Sequence, residues 1–118
     1  MTVRKCVTFP VSLSVYLDYY TEVKFKRDRR LFMDFLYEKY KPVFSALLKD
    51  IDEKRFPWYP GVKYRWGKEF TWRKMTYNDD VYRWILSLVE DGFFLNPAEA
   101  TRALVLIFVF DDIRGVEL

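Results

Sequence analysis

The side chains that could do chemistry in this sequence are chiefly basic, and they occur in two clusters. The first cluster has five basic residues within seven positions: Lys24, Lys26, Arg27, Arg29 and Arg30. The second lies in the middle of the chain: Lys63, Arg65, Lys68, Arg73 and Lys74. Basic side chains bind phosphate and other anions, although a single cluster of this kind is more often a solvated surface. The net charge of +3 favours an anionic partner only slightly, so the distribution of charge matters more than its sum.

The residues on which most enzyme sites depend are missing or isolated. The sequence has no histidine, which removes the commonest general base and every histidine-dependent triad. Cys6 is the only cysteine, which excludes an intrachain disulfide and a cysteine-based metal site. Acidic pairs, which could serve a nuclease, occur at 50 and 52, 79 and 80, and 111 and 112. Each lies at a predicted helix end, where capping explains it better, so we expect no enzyme activity, metal ion or cofactor.

Aromatic and basic side chains interleave between residues 52 and 67, where prolines and a glycine break regular structure. Aromatic rings beside basic residues can stack on exposed bases. More often they hold a long loop against a core, and we favour that interpretation. Residues 53–67 are therefore predicted to connect two units, 1–52 and 68–118, which share one core.

The first unit has the pattern of one strand followed by two helices. Residues 3–11 alternate between apolar and polar side chains, as in a half-buried strand. Ser12 is a candidate N-cap for a helix over 13–23, with the predicted buried face at Val15, Tyr16, Tyr19 and Val23. Asp28 is a candidate N-cap for a second helix over 29–40.

The same order of elements returns in the second unit. Residues 69–77 alternate again, and Asn78 is a candidate N-cap followed by two acidic residues, which favour a helix N-terminus. Gly92 marks the end of that helix. Asn96 then precedes proline at the first position of a helix over 98–113.

Residues 103–110 are apolar without interruption and could form either a buried strand or a buried helix. The preceding cap and the alanines at 98, 100 and 103 favour a helix, which could lie in a core or form a homo-oligomer. Eight apolar residues are too few to span a bilayer, and no signal peptide is recognisable. We therefore expect a soluble, intracellular (cytoplasmic) protein. The absence of glutamine, the two asparagines and the many charged residues favour a thermophilic source.

This order of elements, a strand, a helix, a glycine turn and a second helix, resembles that of the ribbon-helix-helix family of DNA-binding proteins. The resemblance is carried by residues 71–77 as the ribbon strand, 78–91 with Gly92 as helix and turn, and 96–104 as the start of the second helix. The order recurs in the first unit, where apolar residues follow Ser12 at the same offsets as they follow Asn78. The first copy departs from the family because it lacks the turn glycine and has a proline in its strand. The resemblance implies a mainly α fold with a short two-stranded antiparallel ribbon, in a tandem ribbon-helix-helix-like arrangement.

In that family two units pair their strands, four helices close a shared core, and the ribbon enters the major groove. This chain could pair within itself or with a second copy. The resemblance implies base contacts from the outward ribbon side chains Arg4, Cys6, Thr8, Trp72, Lys74 and Thr76. It implies phosphate contacts where each second helix begins, at Arg27, Arg29, Arg30, Asn96 and Ala98.

The implied function is sequence-specific binding of double-stranded DNA, in transcriptional regulation. Trp72 fits base readout least well and could instead be a core or stacking residue. Glu99 makes the second phosphate region less basic than the first, which points to a pseudo-palindromic or non-palindromic site. The alternative is a structural or protein-interaction role without nucleic acid, which the 20% aromatic content and the apolar segment 103–110 favour. A carboxylate-based enzyme is the least favoured alternative.

Overall fold

A computed structural model describes residues 2–44 and 69–117, with side chains as far as residue 109. Within these ranges the chain forms two strands and four α-helices: β1 (Thr2–Pro10), α1 (Val11–Lys24), α2 (Arg29–Tyr40), β2 (Phe70–Asn78), α3 (Asp79–Glu90) and α4 (Pro97–Glu117). A short 3-10 helix, Lys41–Val43, follows α2. The expected mainly α fold with a two-stranded antiparallel ribbon is confirmed. The predicted connection, 53–67, lies outside the described residues.

The two strands pair along their whole length, from Thr2 opposite Asn78 to Pro10 opposite Phe70. Successive side chains of a strand point to opposite faces. The inner face buries two side chains from each strand: Val7, Phe9, Met75 and Tyr77. The even-numbered residues from Thr2 to Thr8 and from Phe70 to Thr76 therefore lie on the outer face. Pro10 ends its strand, where the missing N–H group costs no ladder hydrogen bond.

The core takes apolar side chains from both strands and all four helices. Helix α4 contributes an uninterrupted run of buried residues to this core, since residues 103–109 are at most 4% exposed. The ring of Phe108 packs edge-on against Tyr20, Phe32 and Phe35, with centroid distances of 4.9, 5.4 and 5.6 Å. The apolar segment is thus helical, as favoured. Because residues 103–109 fill the core of their own chain, they offer no surface for the homo-oligomer that the sequence suggested.

Each element of the second half begins 68 positions after its counterpart in the first half, and the two strands are equal in length. Under this shift Cys6 corresponds to Lys74, and these two residues lie opposite each other at the centre of the ribbon. Buried residues correspond too: Leu13 with Val81, Leu17 with Ile85, and Leu36 with Leu104. Two strand-helix-helix units related by an approximate two-fold axis through the ribbon centre would have this spacing.

Two of the predicted N-caps differ from the structure: Ser12 is not the N-cap residue of its helix, and Asn78 makes no capping hydrogen bond. Helix α1 begins at Val11, before Ser12, and its N-cap residue is Pro10, which makes no side-chain cap hydrogen bond. The strand continues directly into the helix because the backbone at Pro10 is extended (φ −54°, ψ 140°). Asn78 does precede α3, but its side-chain amide donates to both carboxylate oxygens of Asp34 at 2.8 Å instead of capping. A tertiary partner on α2 has replaced the local one.

The caps of α2 and α4 are confirmed. The backbone N–H of Arg30 donates to the Asp28 carboxylate at 2.9 Å. At α4, the N–H of Glu99 donates to the Asn96 side-chain oxygen at 2.9 Å, and the N–H of Leu95 donates to the Glu99 carboxylate at 3.1 Å. This reciprocal pair satisfies two backbone donors that the first turn leaves without a helical partner.

No helix within the described part of the chain combines the length and apolarity needed to cross a membrane.

Candidate nucleic-acid interface

The six side chains expected to contact bases lie together on the outer face of the ribbon. Their positions alternate with the four buried inner residues, which fixes their orientation. All are exposed except Thr76, which is half-buried. In the second strand Met75 and Tyr77 face inward, since they are 0% and 1% exposed, and this turns Trp72, Lys74 and Thr76 outward. Residues more than sixty positions apart in the chain therefore form one continuous surface.

Across the ribbon, Arg4 lies opposite Thr76, Cys6 opposite Lys74, and Thr8 opposite Trp72. Arg4 and Lys74 are diagonal neighbours on this face, roughly 7–8 Å apart at the backbone by ordinary ribbon geometry. Lys74 lies at the centre of this surface, opposite Cys6, and Arg4 lies two residues from Cys6 toward the Thr2 end. Trp72 is 63% exposed, so it belongs to this surface and not to the core.

A groove of about 280 Å³ separates the ribbon from the start of α2. Four basic side chains line it together with Asp28 and Thr76: Arg4, Arg27, Arg29 and Lys74. The turn before α2 contains two residues with positive φ, Lys26 (51°) and Arg27 (64°). This turn, with the helix N-terminus behind it, concentrates positive charge beside the ribbon.

Arg29 is less available than the sequence suggested. Its Nη1 donates to the carbonyl oxygen of Lys74 at 3.1 Å, and its Nη2 donates to the Asp18 carboxylate at 3.4 Å. Its Nε is buried without a hydrogen-bond partner. Arg29 therefore ties the start of α2 to β2 and α1. Of the three arginines expected to hold phosphate, Arg27 and Arg30 keep more exposed side chains, with Glu22 and Asp28 as their respective ion-pair partners.

Asp18 and Arg73 form an ion pair that the sequence analysis missed. The Nη2 and Nε of Arg73 donate to the two carboxylate oxygens of Asp18 at 3.0 to 3.3 Å. This hydrogen bonding to Asp18 raises the pKa of Arg73, against a smaller lowering by burial. Both side chains are half-buried on the inner side of the ribbon. Two features of the sequence could have indicated this pair. Arg73 is a charged residue at an inward position of an alternating strand, and Asp18 is a carboxylate on α1 that no local interaction accounts for.

A second groove, of about 330 Å³, lies between β1 and the start of α4. Its lining includes Lys5, Asn96 and Ala98, the last two being residues expected to contact phosphate. The side chain of Asn96 already accepts the capping hydrogen bond, and Pro97 has no backbone N–H to offer. This end is therefore less basic than the α2 end, as the position of Glu99 suggested.

Helix α1 carries an exposed apolar stripe that the sequence analysis had assigned to the core. The stripe consists of Val11, Val15, Tyr19 and Val23, which are 38% to 61% exposed. The buried face of α1 is instead formed by Leu13, Leu17 and Tyr20 with two small polar residues. At the positions 68 residues after the stripe, α3 has the polar residues Asp79, Arg83 and Ser87, and Asp91 is its C-cap residue.

Within the described residues, no three cysteine, aspartate or glutamate side chains come together as a metal site. Comparison of the chain with protein-family models, with curated proteins and with solved structures found no match in any of the three.

Proposed function

We propose that the chain binds double-stranded DNA, with the outer face of the ribbon in the major groove. The observation that carries this proposal is the convergence of Arg4, Thr8, Lys74 and Thr76 from two distant strands onto one exposed surface. Each of these side chains can hydrogen-bond to a base edge, and threonine can also contact a thymine methyl group.

The dimensions of the ribbon support this placement. Paired strands lie about 5 Å apart, and a major groove about 12 Å wide admits two strands with their side chains. Nine residues per strand extend for about 30 Å, which is close to one turn of duplex. The grooves on either side then face the two phosphate backbones.

Phosphate binding is proposed at the start of α2, with Arg27 and Arg30 as the contacting side chains. Backbone N–H groups at a helix N-terminus and nearby arginines both favour phosphate, and such contacts orient a protein on DNA. Arg29 is given a positioning role, because it connects α2 to the backbone of the reading strand at Lys74. The start of α4, at Asn96 and Ala98, is the weaker counterpart.

The two halves are proposed to be two ribbon-helix-helix-like units fused in one chain. Support comes from the uniform shift of 68 residues and from the pairing of Cys6 with Lys74 on the implied axis. A fused pair closes its core without a second chain, and its halves are free to differ in sequence.

The test is a salt series of binding to a pool of random duplexes, followed by fluorescence anisotropy. If about four to six phosphates are neutralised, the logarithm of the affinity should fall with log salt with a slope of roughly −4 to −5. Arg30→Ala should reduce that slope by about one, whereas Arg4→Ala should cost about 1–3 kcal/mol on selected sequences only. Arg83→Ala, which removes the same charge from the exposed side of α3, is the matched control and should change neither quantity. No binding at about 50 mM salt would refute the proposal.

A second candidate function, protein association without DNA, is favoured by the α1 stripe. A second copy of this chain is the proposed occupant, because one apolar stripe per chain allows a closed two-fold dimer and no further growth. Four side chains give a small interface, near the lower limit of about 1,000 Å² in total, so this dimer would be weak.

Sedimentation equilibrium over a range of concentrations tests the second candidate. Val15→Arg, which introduces the residue type found at the corresponding position of α3, should keep the chain monomeric. Arg83→Ala should leave the association unchanged. A monomeric wild-type chain at every concentration would exclude this candidate.

A further inference from the structure

The outer face of the ribbon differs between its two ends. At one end Arg4 lies opposite Thr76, and Thr2 is exposed beyond them, all three polar. Asn78, the partner of Thr2, is half-buried and directs its amide to Asp34 on α2. At the other end Trp72 lies opposite Thr8, and Phe70 lies opposite Pro10. Trp72 and Phe70 are 63% and 53% exposed. One half of the surface thus presents hydrogen-bond donors, and the other half presents aromatic rings.

The difference is confined to the surface. Under the 68-residue shift, Phe70 and Trp72 stand where the first half has Thr2 and Arg4. The buried positions, by contrast, keep their apolar character in both halves, as at Leu36 and Leu104. The approximate two-fold relation is therefore broken at the positions that would contact a ligand on the outer face.

The two halves suit different base edges. Arginine and lysine donate to the O6 and N7 acceptors of guanine, so Arg4 and Lys74 favour a guanine-containing sequence. The rings of Trp72 and Phe70 present apolar faces that cannot satisfy those acceptors. The apolar group that a base exposes in the major groove is the C5-methyl group of thymine. Burying two exposed aromatic side chains against methyl groups also removes apolar surface from water, which favours binding.

We infer, on the basis of the proposed DNA binding, that the ribbon reads a non-palindromic duplex with two unlike half-sites. Arg4 contacts guanine in one half-site, and Lys74 contacts guanine at the centre, between the two half-sites. Trp72 and Phe70, with the methyl group of Thr8, contact thymine methyl groups in the other half-site.

The test begins with selection of bound duplexes from a random pool and continues with modified bases in the selected site. Deoxyuridine, which lacks the C5-methyl group, should weaken binding about fourfold for each contacted thymine. Trp72→Ala should weaken binding to the thymine-containing duplex and reduce its sensitivity to deoxyuridine, with the remainder due to Phe70 and Thr8. Arg4→Ala should keep the deoxyuridine effect and lose sensitivity to 7-deazaguanine, which lacks the N7 acceptor, in its own half-site. Deoxyuridine in flanking positions is the control and should have no effect.

A symmetrising variant gives an independent test. Trp72→Arg places at that position the residue type of its counterpart, Arg4, so selection with this variant should yield guanine in both half-sites and a nearly palindromic sequence. The wild-type chain should yield unlike halves.

The outcomes separate this inference from the proposed function. Failure to bind any duplex would overturn both. Duplex binding with a palindromic selected sequence, or without a deoxyuridine effect, would overturn only the two unlike half-sites. Preferential binding of single strands that depends on Trp72 would also overturn it, in favour of stacking on bases.

Discussion

Leu36 in α2 and Leu104 in α4 occupy corresponding positions, and neither has any exposed surface. Both lie in one cluster of buried side chains that spans the two halves of the chain. We predict that Leu36→Ala and Leu104→Ala each lower the free energy of unfolding by about 3–4 kcal/mol, in a single cooperative transition.

The magnitude follows from complete burial. Truncation of a fully buried leucine loses its transfer free energy and leaves a cavity, and such changes typically cost about 2–5 kcal/mol. A chain of this length is expected to have a total stability of roughly 6–15 kcal/mol, so each variant should lose a large part of it. The corresponding fall in the melting temperature is about 10–20 °C.

Urea unfolding, followed by circular dichroism and by tryptophan fluorescence, is the assay. The matched control is Leu95→Ala, the same change at a residue that is 81% exposed, which should alter the stability by less than about 0.5 kcal/mol. If the halves had separate cores, Leu36→Ala would shift only one of two transitions, and the two probes would disagree. That result would refute the shared core, as would a change of less than about 1 kcal/mol in both variants.

Three further predictions concern individual contacts. Burial raises the pKa of Tyr77 from 10 to about 12, so the folded chain keeps a proton that the unfolded chain releases. The free energy of unfolding should therefore fall by about 2–3 kcal/mol as the pH rises from 10 to 12. In denaturant titrations, Tyr77→Phe should not show this contribution to the fall. An equal fall in the variant and the wild-type chain would contradict the reasoning. Asp18→Asn, which removes the carboxylate paired with Arg73, should lower the free energy of unfolding by about 1 kcal/mol, and by less at high salt. A loss that does not depend on salt would argue against an electrostatic cause. Asn96→Ala should lower stability by about 1 kcal/mol in thermal melts while Asn96→Asp keeps the cap, so equal losses in the two variants would count against capping.

Local patterns in the sequence were sufficient to predict the order of the elements. Helix α2 spans Arg29–Tyr40, the range predicted from the Asp28 cap and the apolar spacing. Alternation identified both strands, and with them the outward position of Lys74. These features depend on side-chain periodicity and on hydrogen bonds between near neighbours in the chain, so the sequence alone contains them.

The buried face of α1 could not be chosen from the sequence. The helix has two apolar stripes, one through Val15 and Tyr19 and the other through Leu13 and Leu17. Burial of apolar surface has no direction of its own, so either stripe satisfied the pattern. The direct continuation of β1 into α1, with Phe9 buried at the junction, turns the second stripe toward the core.

The apolar pattern of the helices was likewise insufficient to decide which residues of the two halves correspond. Matching Ser12 with Asn78 gave equal apolar offsets, but the starts of the strands and helices differ by 68 positions, which matches Asn78 with Pro10. An amphipathic helix repeats its apolar positions within every turn or two, so several alignments fit its pattern about equally well. The ribbon register, with Cys6 opposite Lys74, selects one of them.

Local alternation placed Trp72, Lys74 and Thr76 on one face of the second strand, and the burial of Met75 and Tyr77 decided that this face points outward. What the sequence by itself determined was which residues form strands and helices, and which strand residues share a face. Only the tertiary structure decided that residues 103–109 fill their own core, that Arg73 pairs with Asp18, and that Asn78 binds Asp34 instead of capping. These outcomes depend on partners far away in the chain, and local periodicity contains no information about such partners.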